Sequence, residues 1–161
     1  MLASYPLLLM LVNDSWVFGN TLSGTIDDHI YTGYFFNLPQ YAKIFAPAYF
    51  GTRLPWILFG YAVHSLVPPE PAHYILRLAL WYGAAISLFA IIRLLFADNA
   101  AAMLGALLMG THMYFLWAIG WDYVNGAAIA LILAGTALLT AATRSRHWRL
   151  ALVAAGAAPL T

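Results

Sequence analysis

Residues 76–96, LRLALWYGAAISLFAIIRLLF, decide the fold. The run carries two charges, Arg77 near its start and Arg93 near its end. An α-helix rises about 1.5 Å per residue, so a run of this length covers the roughly 30 Å hydrocarbon layer of a bilayer. Its apolar residues fall on every side of the helix, as expected for a segment surrounded by lipid or by other helices. Two further runs have the same character, Asn99–Ile119 and Asp122–Ala142. In lipid a chain must satisfy its own backbone polar groups, and an open set of strands cannot. The expected fold class is therefore all-α: a polytopic membrane helix bundle, with small residues such as Gly83-Ala-Ala85 and Gly126-Ala-Ala128 permitting close packing.

Composition agrees. Hydrophobic residues make up 63% of the 161, mean hydropathy is +0.79, and charged residues are 8%, against about 25% in a soluble domain. A net charge of +1 says nothing about nucleic acid, but no basic patch of the right kind exists, and no nucleic-acid partner is expected. There is no cysteine, hence no disulfide and no thiolate metal site. Aromatic residues cluster between Tyr31 and Tyr61 and around Trp117 and Trp121, as in the belts that flank a bilayer.

The remaining segments are shorter. Residues 1–18 form an expected first helix without the basic start of a signal peptide. Residues 19–53 are expected as an ordered outer loop, rich in Gly, Thr, Asn, Asp and Tyr. Leu54–Val67, opened by Arg53-Leu-Pro55 and closed by Pro68-Pro-Glu-Pro71, has a length that suits a helix lying in the interface, or a re-entrant one, better than a span, and is expected as a juxtamembrane helix. Residues 150–161 resume an apolar run, the expected start of a further helix, so the chain reads as a piece of a larger polytopic protein.

Orientation follows from the loops. Arg144, Arg146 and Arg149 close the third long run, and the positive-inside rule makes that end cytoplasmic. Counting back, Asp122 lies outside and the Ala97-Asp-Asn99 turn inside. Asp27 and Asp28 also lie outside, provided that Leu54–Val67 does not cross.

These carboxylates are the candidate chemistry, because only six acidic residues occur in the chain and an ionised one deep in a bilayer costs roughly 2.5–3.5 kcal/mol. Asp27 and Asp28 fit either a helix cap or a general base working on an acceptor hydroxyl. With His29 beside them they could also hold a divalent cation, although no dedicated cofactor motif is present. Asp122 fits either a helix start favoured by the dipole or part of the same site. Lys43, Arg53 and Arg77 fit either cations reaching toward the membrane surface or a clamp on a lipid-linked phosphate. His64, His73, His112 and His147 show no metal-ligand spacing, and His112 reads as a packing residue rather than a proton relay. A phosphate-cradling glycine loop, a nucleophile elbow and an HExxH motif are all missing. An activated donor carried in the membrane would require none of them.

The order of these parts resembles the GT-C glycosyltransferases, which include protein O-mannosyltransferases and lipid A aminoarabinose transferases. Asp27-Asp-His-Ile-Tyr31 is similar to the Asp-Glu-x-x-Tyr motif of that family's first outer loop, with Asp in place of Glu. Arg53-Leu-Pro-Trp56 is similar in position to its Lys-Pro-Pro-x-x-Tyr-Trp stretch, with Arg for Lys. Arg77 through Ile92-Arg-Leu-Leu-Phe96 resembles its next span, lacking one basic residue of the turn, and Asp122 stands at the outer mouth of the following helix. The likeness runs along essentially the whole chain and covers only the amino-terminal portion of such an enzyme.

The resemblance implies inverting transfer of a sugar from a polyprenyl-phosphate carrier to a lipid, glycan or protein acceptor, at the outer face of a bacterial inner membrane. Asp27 would be the base, with Asp28 supporting or replacing it. Arg53, with Lys43, would stabilise the departing phosphate. Tyr31 and Asp122 would help bind substrate. A non-enzymatic membrane subunit or a transporter fragment is the alternative, its acidic residues setting topology alone.

Overall fold

The computed structural model describes residues 4–12, 26–45, 49–120, 123–145 and 149. All secondary structure among them is helical, and the protein is an all-α membrane helix bundle. The helices in chain order are α1 (Tyr5–Val12), α2 (Ile26–Phe36), α3 (Leu38–Phe45), α4 (Leu54–Leu66), α5 (Pro69–Phe96), α6 (Asn99–Thr111), α7 (Met113–Ile119) and α8 (Val124–Ser145), with a 3-10 turn over Tyr49–Thr52. α5 and α8 are long and apolar enough to cross a membrane, and α6 with α7 makes a third span if the bent pair is one unit. The second half of the expected first helix and the apolar run 150–161 lie outside the described residues.

α5 begins earlier than expected. Pro69 and Pro71 occupy its first turn, together with Glu70, so the Pro-rich stretch that closes α4 also starts the next helix. The physical reason is that first-turn backbone N–H groups have no partner within the helix, so proline loses nothing there, and an acidic residue is favoured by the dipole. At the other end Ala97 takes a left-handed conformation (φ 57°), and its N–H donates to the Arg93 carbonyl. Asp98 then caps α6, its carboxylate accepting from the backbone N–H groups of Ala100 and Ala101 at 2.8 and 3.1 Å.

The expected span 99–119 consists of two helices. α6 and α7 meet at an extended His112 and are bent by 64°. The bend has an identifiable origin. The indole N–H of Trp81, on α5, donates to the carbonyl of Gly110 at 3.1 Å. A Cβ on Gly110 would collide with the same indole. Gly110 and Thr111 thus let the ladder open where Trp81 presses in, the usual setting for a sharp kink.

The bundle has a direction. The Arg144 guanidinium, at the end of α8, donates to the Leu95 carbonyl, at the end of α5, at 3.2 Å. α5 and α8 pack along each other and run parallel, while α6 returns against α5 and α7 packs on α8. One end therefore carries Arg93 and Arg144. At the other, Ile30, Tyr31, Tyr34 and Phe35 of α2 join Trp56 and Ile57 of α4, Leu76 and Trp81 of α5, Phe115 and Ile119 of α7 and Val124 of α8 in one buried cluster. Toward the Arg144 end the buried residues are small, Ala102, Ala106 and Ala142. Large apolar side chains such as Ile86, Leu104, Leu108 and Ile132 point outward, as lipid-facing positions do.

Candidate functional site

The stretch expected as an outer loop is largely helical. α2 lies on α4 at the end of the bundle away from Arg144, and α3 folds back against α2. Its seat is made by Gly60 of α4, where any Cβ would run into the ring of Phe35. Phe35 then meets Trp56 edge-on at 5.1 Å between centroids. Aromatic burial of this kind positions α2 from one side only, its inner face.

Asp27 and Asp28 stand in the first turn of α2, inside the helix rather than at a cap one residue before it. Their side chains lie outside the described residues, as does Asp122 altogether. Tyr31 follows them by one helical turn and is fully buried. Its ring meets Phe50 at 5.8 Å and Tyr123 at 5.7 Å, both edge to face. Tyr123 is the neighbour of Asp122 in the chain. One aromatic contact thus ties the turn after Asp27 and Asp28 to the start of α8.

Arg53 comes to the same place. It precedes α4 and, with Pro55 and Trp56, lines a narrow crevice of about 10 Å³ against Val124, Ala127 and Ala128 of α8. α4 therefore starts beside the first turns of α8, and it ends at the turn into α5. Both of its ends lie in the half of the bundle opposite Arg144. A broader groove runs along the neighbouring side of α8, between Tyr114, Trp117, Asn125 and Ile132, and Ala128 borders both spaces.

Two expected cations behave differently. Lys43 is exposed in the last turn of α3 and does not line the crevice with Arg53. Arg77 is 3% exposed, so it is buried within the bundle rather than extended toward the membrane surface. His112, expected as a packing residue in mid-span, is the exposed joint between α6 and α7, its ring 5.7 Å from Tyr114.

Two features escaped the sequence. His64 and His73 sit nine positions apart, yet their rings meet at 4.8 Å across the α4–α5 turn, with Phe35 stacked on His64 at 5.6 Å. The signal available was the Pro68-Pro69 turn, which folds the two helix ends together. The second is a groove between α2 and α3, lined by His29, Gln40, Tyr41 and Phe45 among others. Its signal was Asn37-Leu-Pro-Gln40, a capping pattern that fixes where α3 begins.

Burial pushes the Tyr34 phenol above its ordinary value, and its hydroxyl has no hydrogen-bond partner among the described residues. No group of three or more His, Asp or Glu side chains that could hold a metal occurs among the described residues. Comparison with protein-family models, with curated proteins and with solved structures finds no match to this chain.

Proposed function

We propose that this chain belongs to a membrane glycosyltransferase that moves a sugar from a polyprenyl-phosphate carrier to a lipid, glycan or protein acceptor outside the membrane. One observation carries the proposal. The helix bearing Asp27 and Asp28, the guanidinium-bearing entry to α4 and the start of α8 gather at the end of the bundle opposite Arg144, linked by the Tyr31–Tyr123 contact and the Arg53 crevice.

The chemistry suited to these residues is a single displacement. An acceptor hydroxyl oxygen attacks the anomeric carbon, the bond from that carbon to the phosphate oxygen breaks, and the bonding pair leaves with the phosphate. Asp27 takes the hydroxyl proton, with Asp28 adjacent to it. Arg53 offers planar paired donors to the oxygens that gain charge. The apolar tail of the carrier fits the groove along α7 and α8, which adjoins the Arg53 crevice at Ala128. The site faces the extracytoplasmic side of a bacterial inner membrane in this proposal, since Arg93 and Arg144 mark the opposite end.

The test is Asp27→Asn in the full-length protein, assayed for transfer from a polyprenyl-phosphate sugar. General-base loss should lower the rate by about 10²–10⁴-fold. Transfer at near wild-type rate would remove Asp27 from catalysis.

A second function, that of a transporter fragment, is favoured by the 64° break at His112, because broken helices build substrate sites in transporters. In that case variants at Gly110 and His112 would alter substrate flux, while Asp27→Asn would leave it unchanged.

A further inference from the structure

We infer that the groove between α2 and α3 is a seat for a pyranose ring, a binding subsite apart from the Arg53 crevice. The inference rests on the sugar-transfer proposal and names where a sugar is held.

Sugar rings present two chemistries at once. One face is a patch of C–H groups that an aromatic ring can cover. The rim carries neighbouring hydroxyls that planar amides and imidazoles bind in pairs. The groove supplies both. Its volume of about 280 Å³ stands at the lower edge of the roughly 300–1,000 Å³ typical of small-molecule sites. Tyr41 forms its wall, half-buried and leaning on Tyr34 at 5.6 Å and on Phe45 at 5.8 Å. The ring occupies the space that any side chain at position 33 would fill, so Gly33 sets where the wall stands.

The polar donors are equally fixed. Asn37 caps α3 by accepting from the Gln40 backbone N–H at 3.3 Å, while its own amide donates to the Gln40 side-chain carbonyl at 2.8 Å. This pairing uses the acceptor of the Gln40 amide and leaves its NH2 group with no partner among the described residues. A preorganised donor at the rim of an aromatic wall is what ring recognition requires, and it costs no side-chain ordering on binding. His29 stands on the opposite bank, exposed, in the turn that carries Asp27 and Asp28.

The sugar could be that of the donor or part of a glycan acceptor, and kinetics separate them. The first experiment uses saturation-transfer NMR on the full-length protein in micelles, with methyl glycosides of a hexose, an N-acetylhexosamine and an aminopentose as probes. Saturation should pass to ring C–H protons of at least one glycoside. It should be lost in Tyr41→Ala and in Gln40→Ala, both with unchanged circular dichroism, and kept in Tyr41→Phe. The same alanine variants should raise the KM of one substrate about tenfold, equivalent to about 1.4 kcal/mol. A rise for the carrier-linked sugar assigns the donor, and a rise for the acceptor assigns the acceptor. Asp27→Asn should abolish transfer yet keep glycoside binding. If Asp27→Asn transfers normally while Tyr41-dependent binding is present, the catalytic proposal fails and the subsite stands. If no glycoside is saturated, or if Tyr41→Ala changes only the protein's attachment to lipid, the groove is a membrane-facing surface and the subsite is overturned.

Discussion

Tyr34 shows how a single residue records what its helix is for. Its phenol is buried between Tyr41 and Phe45, and its hydroxyl has no partner among the described residues. An unsatisfied buried hydroxyl costs about 1–3 kcal/mol, whereas removing it leaves the ring contacts intact. Tyr34→Phe should therefore raise stability by about 1 kcal/mol in a reversible unfolding assay in micelles. The same variant tests the titration. Burial raises the Tyr34 pKa, so the folded state keeps its proton after the unfolded state has begun to lose it. Stability attributable to this group is complete below the ordinary tyrosine value of about 10 and falls as pH climbs through the raised one. Wild type should lose stability across that alkaline window more steeply than Tyr34→Phe. Among the residues singled out from the sequence, Tyr31 and Arg53 do meet the start of α8, and Lys43 stands apart. That difference was not legible, because it depends on which face of a short amphipathic helix turns inward. Gln40 gives no sequence signal for a related reason: its value comes from being held by Asn37, and an amide alone in a sequence says nothing of its partner.

At the scale of elements, the apolar runs were legible and their interruptions were not. A continuous run of Leu, Ala and Met gives the same hydropathy whether its helix is straight or bent. With no proline between residues 99 and 119, nothing in the sequence marked His112 as a joint. The cause lies in another helix, in the indole of Trp81 reaching the Gly110 carbonyl. Gly110→Ala should force that indole aside and cost about 1–3 kcal/mol, the usual range for overpacking. The change would appear as a lower unfolding midpoint and as altered Trp emission. An unchanged midpoint would mean that the bend does not depend on this contact. The prolines at 69 and 71 carry the opposite ambiguity. They ended one helix in the sequence, but proline is as much at home in the first turn of the next.

The whole molecule has two unlike ends, and the expected orientation can be checked directly. The chain contains no cysteine, so single thiols report without background. Ser23→Cys and Tyr123→Cys should react with a membrane-impermeant thiol reagent on intact cells. Ala97→Cys, in the exposed turn at the opposite end, should stay protected until the cells are opened. Labelling at only one of the first two positions would separate the acidic sites and remove the basis for a shared centre.

The lengths of the two main helices carry a consequence of their own. α5 has 28 residues and α8 has 22, which makes them about 42 Å and 33 Å long. Their far ends are level where Arg144 meets Leu95, so the surplus of α5 emerges entirely at its start. That surplus, roughly 9 Å of helix, holds Pro69, Glu70 and His73, and it stands above a hydrocarbon layer about 30 Å thick like a plinth. His73 on the plinth meets His64, and through α4 the height of the plinth is passed on to Arg53. A thicker bilayer would submerge the plinth or tilt it. The thickness of the host membrane thus becomes part of the geometry of the proposed site.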